Sequence, residues 1–309
     1  LKILLVRNDN IGDLVCTTPA IEALRKKYKD ARIDIVVNSL NSFVVENNPF
    51  LDKIYLYAKT KHKKKLKDKI IALIEKTKIL YKIKKEKYDI CLIFRSSYSK
   101  NAGLFAKFSN AKEIIGIDEK NESKFITKKI PKIEINEIKL CYEILKPLDI
   151  KYQGEKTLFL PKSKINTYNN FIFFHISSRI KENKLSKEKI CQILSILKAK
   201  TNNIIITAED SDFATQISQI SDVKCLQTKN LQELASYIYK AKFFITLDGG
   251  IAHLAPAMGI NTLILFGKTN INRWKPISCN AKCVVLQDET KLANNINLED
   301  IHEKIDDFL

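Results

Sequence analysis

No apolar run in this sequence approaches the ~20 residues needed to span a bilayer as a helix. The opening stretch "LKILLVRND" has a charge inside its apolar run and no small-residue cleavage site. It therefore reads as a first β-strand and not as a secretion signal, and a cytoplasmic location is the expectation that follows. No G-x-G-x-x-G follows any predicted strand, which argues against a nicotinamide dehydrogenase. There is no repeat at solenoid period and no low-complexity tail beyond a bias to lysine. The seven cysteines are odd in number and scattered. Cys279 and Cys283 form a lone C-x3-C with no second pair, so neither a zinc site nor a disulfide framework is expected. Cys16, Cys91, Cys141, Cys191 and Cys225 lie in apolar or amphipathic stretches and read as buried thiols. The D-x-D spelling that can hold a divalent ion beside a diphosphate occurs at Asp210–Asp212. There it opens a predicted helix, far in sequence from the N-terminal carboxylates, so no metal is expected.

Acidic residues are scarce: 35 Asp and Glu against 53 Lys and Arg, a formal net charge of +18 in 309 residues. Such a field attracts polyanions, whether nucleic acid, nucleotide phosphates or an anionic membrane surface. Aromatics are not interleaved with the basic runs as stacking platforms would require, so a nucleic-acid-binding protein is only a remote alternative. The densest block, "KTKHKKKLKDK" (Lys59–Lys69), reads either as a solvated helix face or as a contact with a membrane or anionic acceptor.

The chain is long enough for two domains. Apolar runs at Lys2–Val6, Arg32–Val37, Lys53–Tyr57, Tyr88–Phe94 and Glu113–Ile117 predict strands. Helical patterns at Ile11–Tyr28, Lys63–Lys87, from about Tyr98, and at Glu134–Lys146 lie between and after them. In the long basic helix, Leu66, Ile70, Leu73, Ile74 and Leu80 fall on one side. The pattern then restarts, with strands at Phe171–Ile176, Asn203–Thr207, "VKCL", Lys242–Thr246 and Asn261–Phe266. The helices of this second series are Ser186–Lys198 (capped by Ser186), Asp210–Ile220, Leu231–Lys240, Ile251–Met258 and Leu298–Phe308. Strand–helix alternation predicts parallel sheets covered by helices, and two series predict two Rossmann-like domains. The boundary falls in "QGEKTLFLPKSKINTYNN" (Gln153–Asn170), with Gly154 and Pro161 as hinge flanks. The expected division is 1–155, 165–296 and a terminal helix at 297–309 that could pack back on the N-terminal domain.

Two junctions stand out. The helix at Ile11 begins with Gly12, a poor helix former, and Asp13, a carboxylate unlikely as core filler. In the second half a strand runs into Asp248-Gly249-Gly250 and then a helix. Glycines there let backbone amides approach a ligand, and a helix start favours a phosphate. His253 lies on the first turn of that helix. Read alone, this is equally a tight turn with an ordinary core histidine.

The stretch "DGGIAHLAPAMGINTLILFGKTNINRWKP" resembles the signature of glycosyltransferase family 9, the lipopolysaccharide heptosyltransferases. Asp248, Gly250, His253, Leu254, Ala257, Gly259, Phe266, Gly267, Thr269, Trp274 and Pro276 match its pattern. At the other end Arg7, Gly12, Asp13, Thr18, Pro19 and Ala20 match the family's opening strand, polar loop and Gly-Asp helix start. "FFHISSRIKENKLSKEKI" supplies a weaker match at His175, Ser177, Ser178 and Lys184, and "ITAEDSDFA" places Glu209 where the family has a loop Glu near adenosine. Two departures are Gly249, where the family usually has Ser or Thr, and Leu185-Ser186, where it has an aromatic-Pro pair.

The resemblance implies a GT-B fold, two Rossmann-like domains with parallel sheets facing across a cleft, acceptor site in the N-terminal domain and donor site in the C-terminal one. It implies inverting transfer of a heptose from ADP-heptose to a lipopolysaccharide or lipooligosaccharide core acceptor, with no cofactor besides the donor and no metal. Asp13 is then the catalytic base. Ser177, Ser178, Lys184, Glu209, Asp248, Gly249, Gly250 and His253 would bind the donor, and Arg7, Gly12 and Thr18 would lie on the acceptor side. Lys268 and Arg273 would add positive potential or remain solvated surface. The implied partners are a nucleotide sugar, a lipid-linked saccharide and an anionic membrane surface at the inner face of the cytoplasmic membrane, with no nucleic acid. A family relative using another nucleotide sugar is the alternative.

Overall fold

The computed structural model describes residues 1–59, 65–153, 167–278 and 280–309. Lys63, Lys64, Gly154, Pro161 and Cys279, each singled out in the sequence, lie outside the described residues. The chain forms two compact units, Leu1–Pro161 and Lys162–Leu309.

The first unit runs β1 (Lys2–Val6), α1 (Ile11–Lys27), β2 (Arg32–Asn38), β3 (Lys53–Tyr57), α2 (Leu66–Glu86), β4 (Ile90–Ile93), α3 (Lys100–Phe108), β5 (Glu113–Ile117), β6 (Lys128–Ile130) and α4 (Glu137–Leu145). Its strands form one parallel sheet in the order β3-β2-β1-β4-β5-β6, with Leu4 of β1 opposite Asp34 on one side and Cys91 on the other. The central strands β1 and β4 are near-continuous apolar runs because helices cover both of their faces, while β2 is interrupted by the buried Asp34. β6 was not legible in the sequence. It is three residues, "KKI", at the sheet edge, where lysine is tolerated because only one side is paired.

The second unit runs β7 (Ile172–His175), α5 (Lys187–Lys198), β8 (Ile204–Thr207), α6 (Ser211–Ser221), β9 (Lys224–Cys225), α7 (Leu231–Ile238), β10 (Phe243–Leu247), α8 (Ile251–Ala257), β11 (Thr262–Phe266), α9 (Ile271–Trp274), β12 (Cys283–Gln287) and α10 (Leu298–Asp306). The parallel order is β12-β11-β10-β7-β8-β9. Each sheet thus places its unit's first strand in the middle and has the strand order reverse beside it, the doubly wound pattern. Ser186 caps α5 as expected, accepting from the Lys189 amide at 3.2 Å.

The terminal helix α10 packs within its own unit: Ile301 and Ile305 are fully buried in the same core as Leu194 and Leu263, and Phe308 stacks on Phe243 at 4.5 Å. Its apolar residues Ile301 and Ile305, four apart, form one stripe that packs beside α5. In α2 the buried side is Ala72, Leu80 and Ile83, while Leu66, Ile70, Leu73 and Ile74 are exposed. These five do share one side by helical spacing, but along it only Leu80 is buried, and the N-terminal four face outward.

Candidate active site

In a doubly wound sheet the loops leaving the two strands at the reversal diverge, and the crevice between them is where ligands bind. In the first unit these loops follow β1 and β4. Arg7 continues the ladder beyond β1, its amide donating to Val36 O at 3.1 Å. The carbonyls of the next residues are gripped by side chains: Asp9 O accepts from Asn38 Nδ2 at 3.0 Å and Lys59 Nζ at 2.8 Å, and Asn10 O from Asn41 Nδ2 at 3.4 Å. Asn38 and Asn41 are themselves fully buried. The turn that carries α1 is therefore rigid before any ligand arrives.

The guanidinium of Arg7 is only 1% exposed and gathers three carboxylates. Nη2 donates to Glu137 Oε1 at 2.7 Å and to Asp13 Oδ1 at 3.1 Å, Nε lies 3.1 Å from Asp9 Oδ1, and Nη1 donates to Phe94 O at the end of β4. Arg95 Nη1 approaches the other Asp9 oxygen at 3.4 Å. Burial alone would pull the Arg7 pKa down, but Asp9, Glu137 and Asp13 together hold it well above its usual value, so Arg7 stays charged. Asp9 goes the other way. Burial and the charge of Asp13 outweigh Arg7 and Arg95 and push its carboxyl up to about 6. Asp13 sits on the first turn of α1, three residues after the N-cap Asn10, whose own side chain makes no capping hydrogen bond. Cys141 on α4 approaches the Thr17 hydroxyl at 3.5 Å, and its thiol is pushed up to about 12 by burial, which keeps it neutral.

In the second unit the corresponding loops follow β7 and β10. Ser178 Oγ donates to Asp248 O at 3.2 Å, joining them directly. Ser177 Oγ accepts from the Glu209 amide at 2.8 Å, tying in the loop after β8, where Glu209 also accepts from Arg179 Nε at 3.0 Å. The hub is Asn183, fully buried. Its Oδ1 accepts from the amides of Gly267 and Lys268, both at 3.0 Å, and its Nδ2 donates to Asp248 Oδ2 at 3.1 Å and Thr269 Oγ1 at 3.3 Å. Thr269 Oγ1 donates to the same Asp248 oxygen at 2.5 Å. Gly267 is obligatory here, because a Cβ would stand 2.0 Å from Glu182 O. At Gly249, by contrast, a Cβ would meet nothing within 4 Å. His253 is buried on α8 and meets Trp274 edge-on, centroids 6.0 Å apart. His175 at the end of β7 contacts Thr207 Oγ1 at 3.0 Å and is pushed down to about 4 by burial, partly offset by Glu209.

The structure thus brings Ser177, Ser178, Glu209, Asp248, Gly249 and Gly250 to the carboxyl ends of the second sheet, with Lys184 exposed beside the buried Asn183. It also places Arg7, Gly12 and Asp13 at the carboxyl end of β1. Arg7 is buried beneath Asp13, where it can position that carboxylate but not meet an acceptor. Thr18 is 1% exposed and its hydroxyl donates to Val15 O, so it belongs to the helix packing. Asp210 of the D-x-D spelling caps α6, accepting from the Asp212 and Phe213 amides at 3.1 and 3.0 Å. Lys268 is exposed beside Glu182, and Arg273 stacks on Trp274 at 4.9 Å. Sequence reasoning missed Glu137, Asp9, Arg95, Asn183 and the hub role of Thr269. Glu137 and Asn183 carry no local signal, since their partners are distant in sequence.

The sequence profile of glycosyltransferase family 9 (heptosyltransferase) matches residues 155–304. Lipopolysaccharide heptosyltransferase 3 of Escherichia coli is 24% identical over 293 residues, 87% of this chain and 84% of that protein. Among solved structures, the family 9 glycosyl transferase of Veillonella parvula superposes with a TM-score of 0.82 at 18% identity, covering 99% of this chain and 95% of that one. E. coli heptosyltransferase WaaC with ADP-2-deoxy-2-fluoro heptose superposes with a TM-score of 0.78 at 16% identity, covering 99% of each chain. The structural matches establish the shared fold, a GT-B arrangement of two parallel α/β sheets. With the profile match and the motif residues gathered at both strand-order reversals, residues 155–304 form a glycosyltransferase family 9 (heptosyltransferase) domain, and the comparisons support a glycosyltransferase.

Proposed function

We propose that this enzyme transfers a heptose from ADP-heptose to a lipopolysaccharide or lipooligosaccharide core acceptor with inversion, and that Asp13 is the base. The observation that carries the reading is the setting of Asp13: a carboxylate on the first turn of α1, at the strand-order reversal, held by a fully buried guanidinium. Attack on an anomeric carbon needs a carboxylate to take the proton of the acceptor hydroxyl, and negative charge near the sugar favours oxocarbenium character. Arg7 keeps that carboxylate oriented, while Glu137 and Asp9 balance the guanidinium. The departing nucleoside diphosphate gains charge that must be stabilised. His253, Lys184, the hydroxyls of Ser177 and Ser178 and the amides around Gly249 and Gly250 are the donors proposed for that, with no metal required. Glu209 would face the adenosine, and Asp248 shapes the turn.

The related WaaC was solved with ADP and with an ADP-heptose analogue, which supports an adenine donor here. Gly249 favours a second reading, a different nucleotide sugar, because the hydroxyl that the family usually carries there is missing. The acceptor would be lipid-linked, at the inner face of the cytoplasmic membrane. The test is a thermal-shift titration with ADP, UDP, GDP and CMP, with and without magnesium or iron, followed by transfer from ADP-heptose. Stabilisation by ADP without metal is expected. Asp13→Asn should keep that shift and lose transfer by about 10²–10⁴-fold. A selective response to UDP or GDP would move the donor, and Asp13→Asn with full activity would overturn the base assignment.

A further inference from the structure

The outward side of α2 has no role in the site described above. Six of the thirteen exposed large apolar side chains among the described residues sit on this single 21-residue helix. Leu66, Ile70, Leu73, Ile74 and Tyr81 fall at helical spacing along one stripe and are between 50 and 74% exposed. At 3.6 residues per turn the stripe lies away from the buried Ala72 and Ile83, while the buried Leu80 sits at its edge, one heptad on from Leu73. Lys67, Lys78 and Lys85 border it on one flank and Lys69 on the other. No described helix is long and apolar enough to cross a membrane.

We propose that this face of α2 docks the enzyme on an anionic bilayer, the helix lying in the plane of the interface. The apolar stripe would enter the headgroup–acyl boundary and the flanking lysines would reach lipid phosphates. Charge selects this occupant over a second copy of the chain. Pairing two such faces would set lysine against lysine, whereas anionic headgroups complement both the flanks and the chain's +18. The proposal deepens the lipid-linked acceptor reading, and vesicle binding in the absence of any saccharide or nucleotide tests it apart from transfer.

The experiment is flotation with vesicles of phosphatidylglycerol and phosphatidylethanolamine, against phosphatidylcholine alone. Binding to the anionic vesicles is expected, weakened by salt. The double variant Ile70→Ser with Leu73→Ser should lower partitioning by about tenfold or more, each apolar side chain withdrawn from water being worth on the order of a tenfold step. Its thermal midpoint and nucleotide shift should match the parent, because both side chains are exposed. A separate single variant, Leu73→Trp, should show a blue-shifted emission on anionic vesicles. Equal partitioning of parent and double variant, or an unshifted Trp, would overturn the proposal in favour of a purely electrostatic basic surface. Loss of a concentration-dependent dimer in the double variant, with vesicle binding unchanged, would assign the face to a second copy.

Discussion

Replacing Asp9 by Asn should change stability in a way that depends on pH, and the size follows from its surroundings. Burial and the neighbouring Asp13 raise its carboxyl from 3.8 to about 6. At 1.36 kcal/mol per unit, that is about 3 kcal/mol. The folded state binds this proton more tightly than the unfolded chain does. The contribution is therefore complete below the unfolded value, fades as pH rises through about 6, and is gone at neutral pH. His175 acts in the opposite direction over nearly the same window. Burial lowers it from 6.5 to about 4, so it contributes about 3 kcal/mol above the unfolded value that is lost as pH falls through the folded one. The two nearly cancel, and the parent protein should show a flat profile between pH 4 and 7 as far as these groups are concerned. The introduced carboxamide mimics the protonated carboxyl, so the variant should match the parent near pH 4 and exceed it by about 3 kcal/mol at pH 7. Urea unfolding at stepped pH measures the difference, and hydrogen exchange of the β1 and α1 amides reads the first unit on its own. A difference that stays constant from pH 4 to 7 would refute the reasoning.

Other substitutions probe the remaining parts of the site. Glu137→Leu removes the nearest partner of a buried guanidinium and should cost about 3 kcal/mol in urea unfolding, whereas Glu137→Gln, which can still accept from Arg7, should cost clearly less. Asn183→Ala strands the amides of Gly267 and Lys268 and loosens Asp248; about 3 kcal/mol is expected, with a smaller thermal shift on adding nucleotide. Gly267→Ala should be strongly destabilising because its Cβ would overlap the Glu182 carbonyl. Gly249→Ser meets open space and should leave unfolding within about 0.5 kcal/mol, and a serine hydroxyl there should tighten nucleotide binding several-fold by titration calorimetry.

Much of the fold was legible because it is written in local periodicity. Runs such as "KILLV" and "NTLILF" can only be strands buried on both faces, and Ser186 marks the start of its helix by the chemistry of its hydroxyl. The junctions at Gly12-Asp13 and Asp248-Gly249-Gly250 announced themselves because a loop motif keeps its residues close together. β6 was missed as a three-residue, lysine-rich edge strand; β12, "CVVLQ", was missed although its length and apolar run equal those of β1. In α2 the sequence placed Leu66, Ile70, Leu73, Ile74 and Leu80 on one side, but only the structure shows that Leu80 alone of these is buried, beside Ala72 and Ile83.

What the sequence determined by itself was the alternation of strands and helices, the two-sheet architecture, the basic character and the loop motifs, all properties of neighbouring residues along the chain. Tertiary structure alone decided which charges and amides meet. Glu137 looks like an ordinary acid on the first turn of a helix, a position the helix dipole favours wherever the helix goes. It becomes the partner of Arg7 only because α4 returns to the end of β1, where burial leaves a guanidinium no water and makes a carboxylate 130 residues away its nearest available counter-charge. Asn183 is the same case with neutral groups: an undistinguished loop residue until the loop after β11 folds against it and buries amides that need an acceptor.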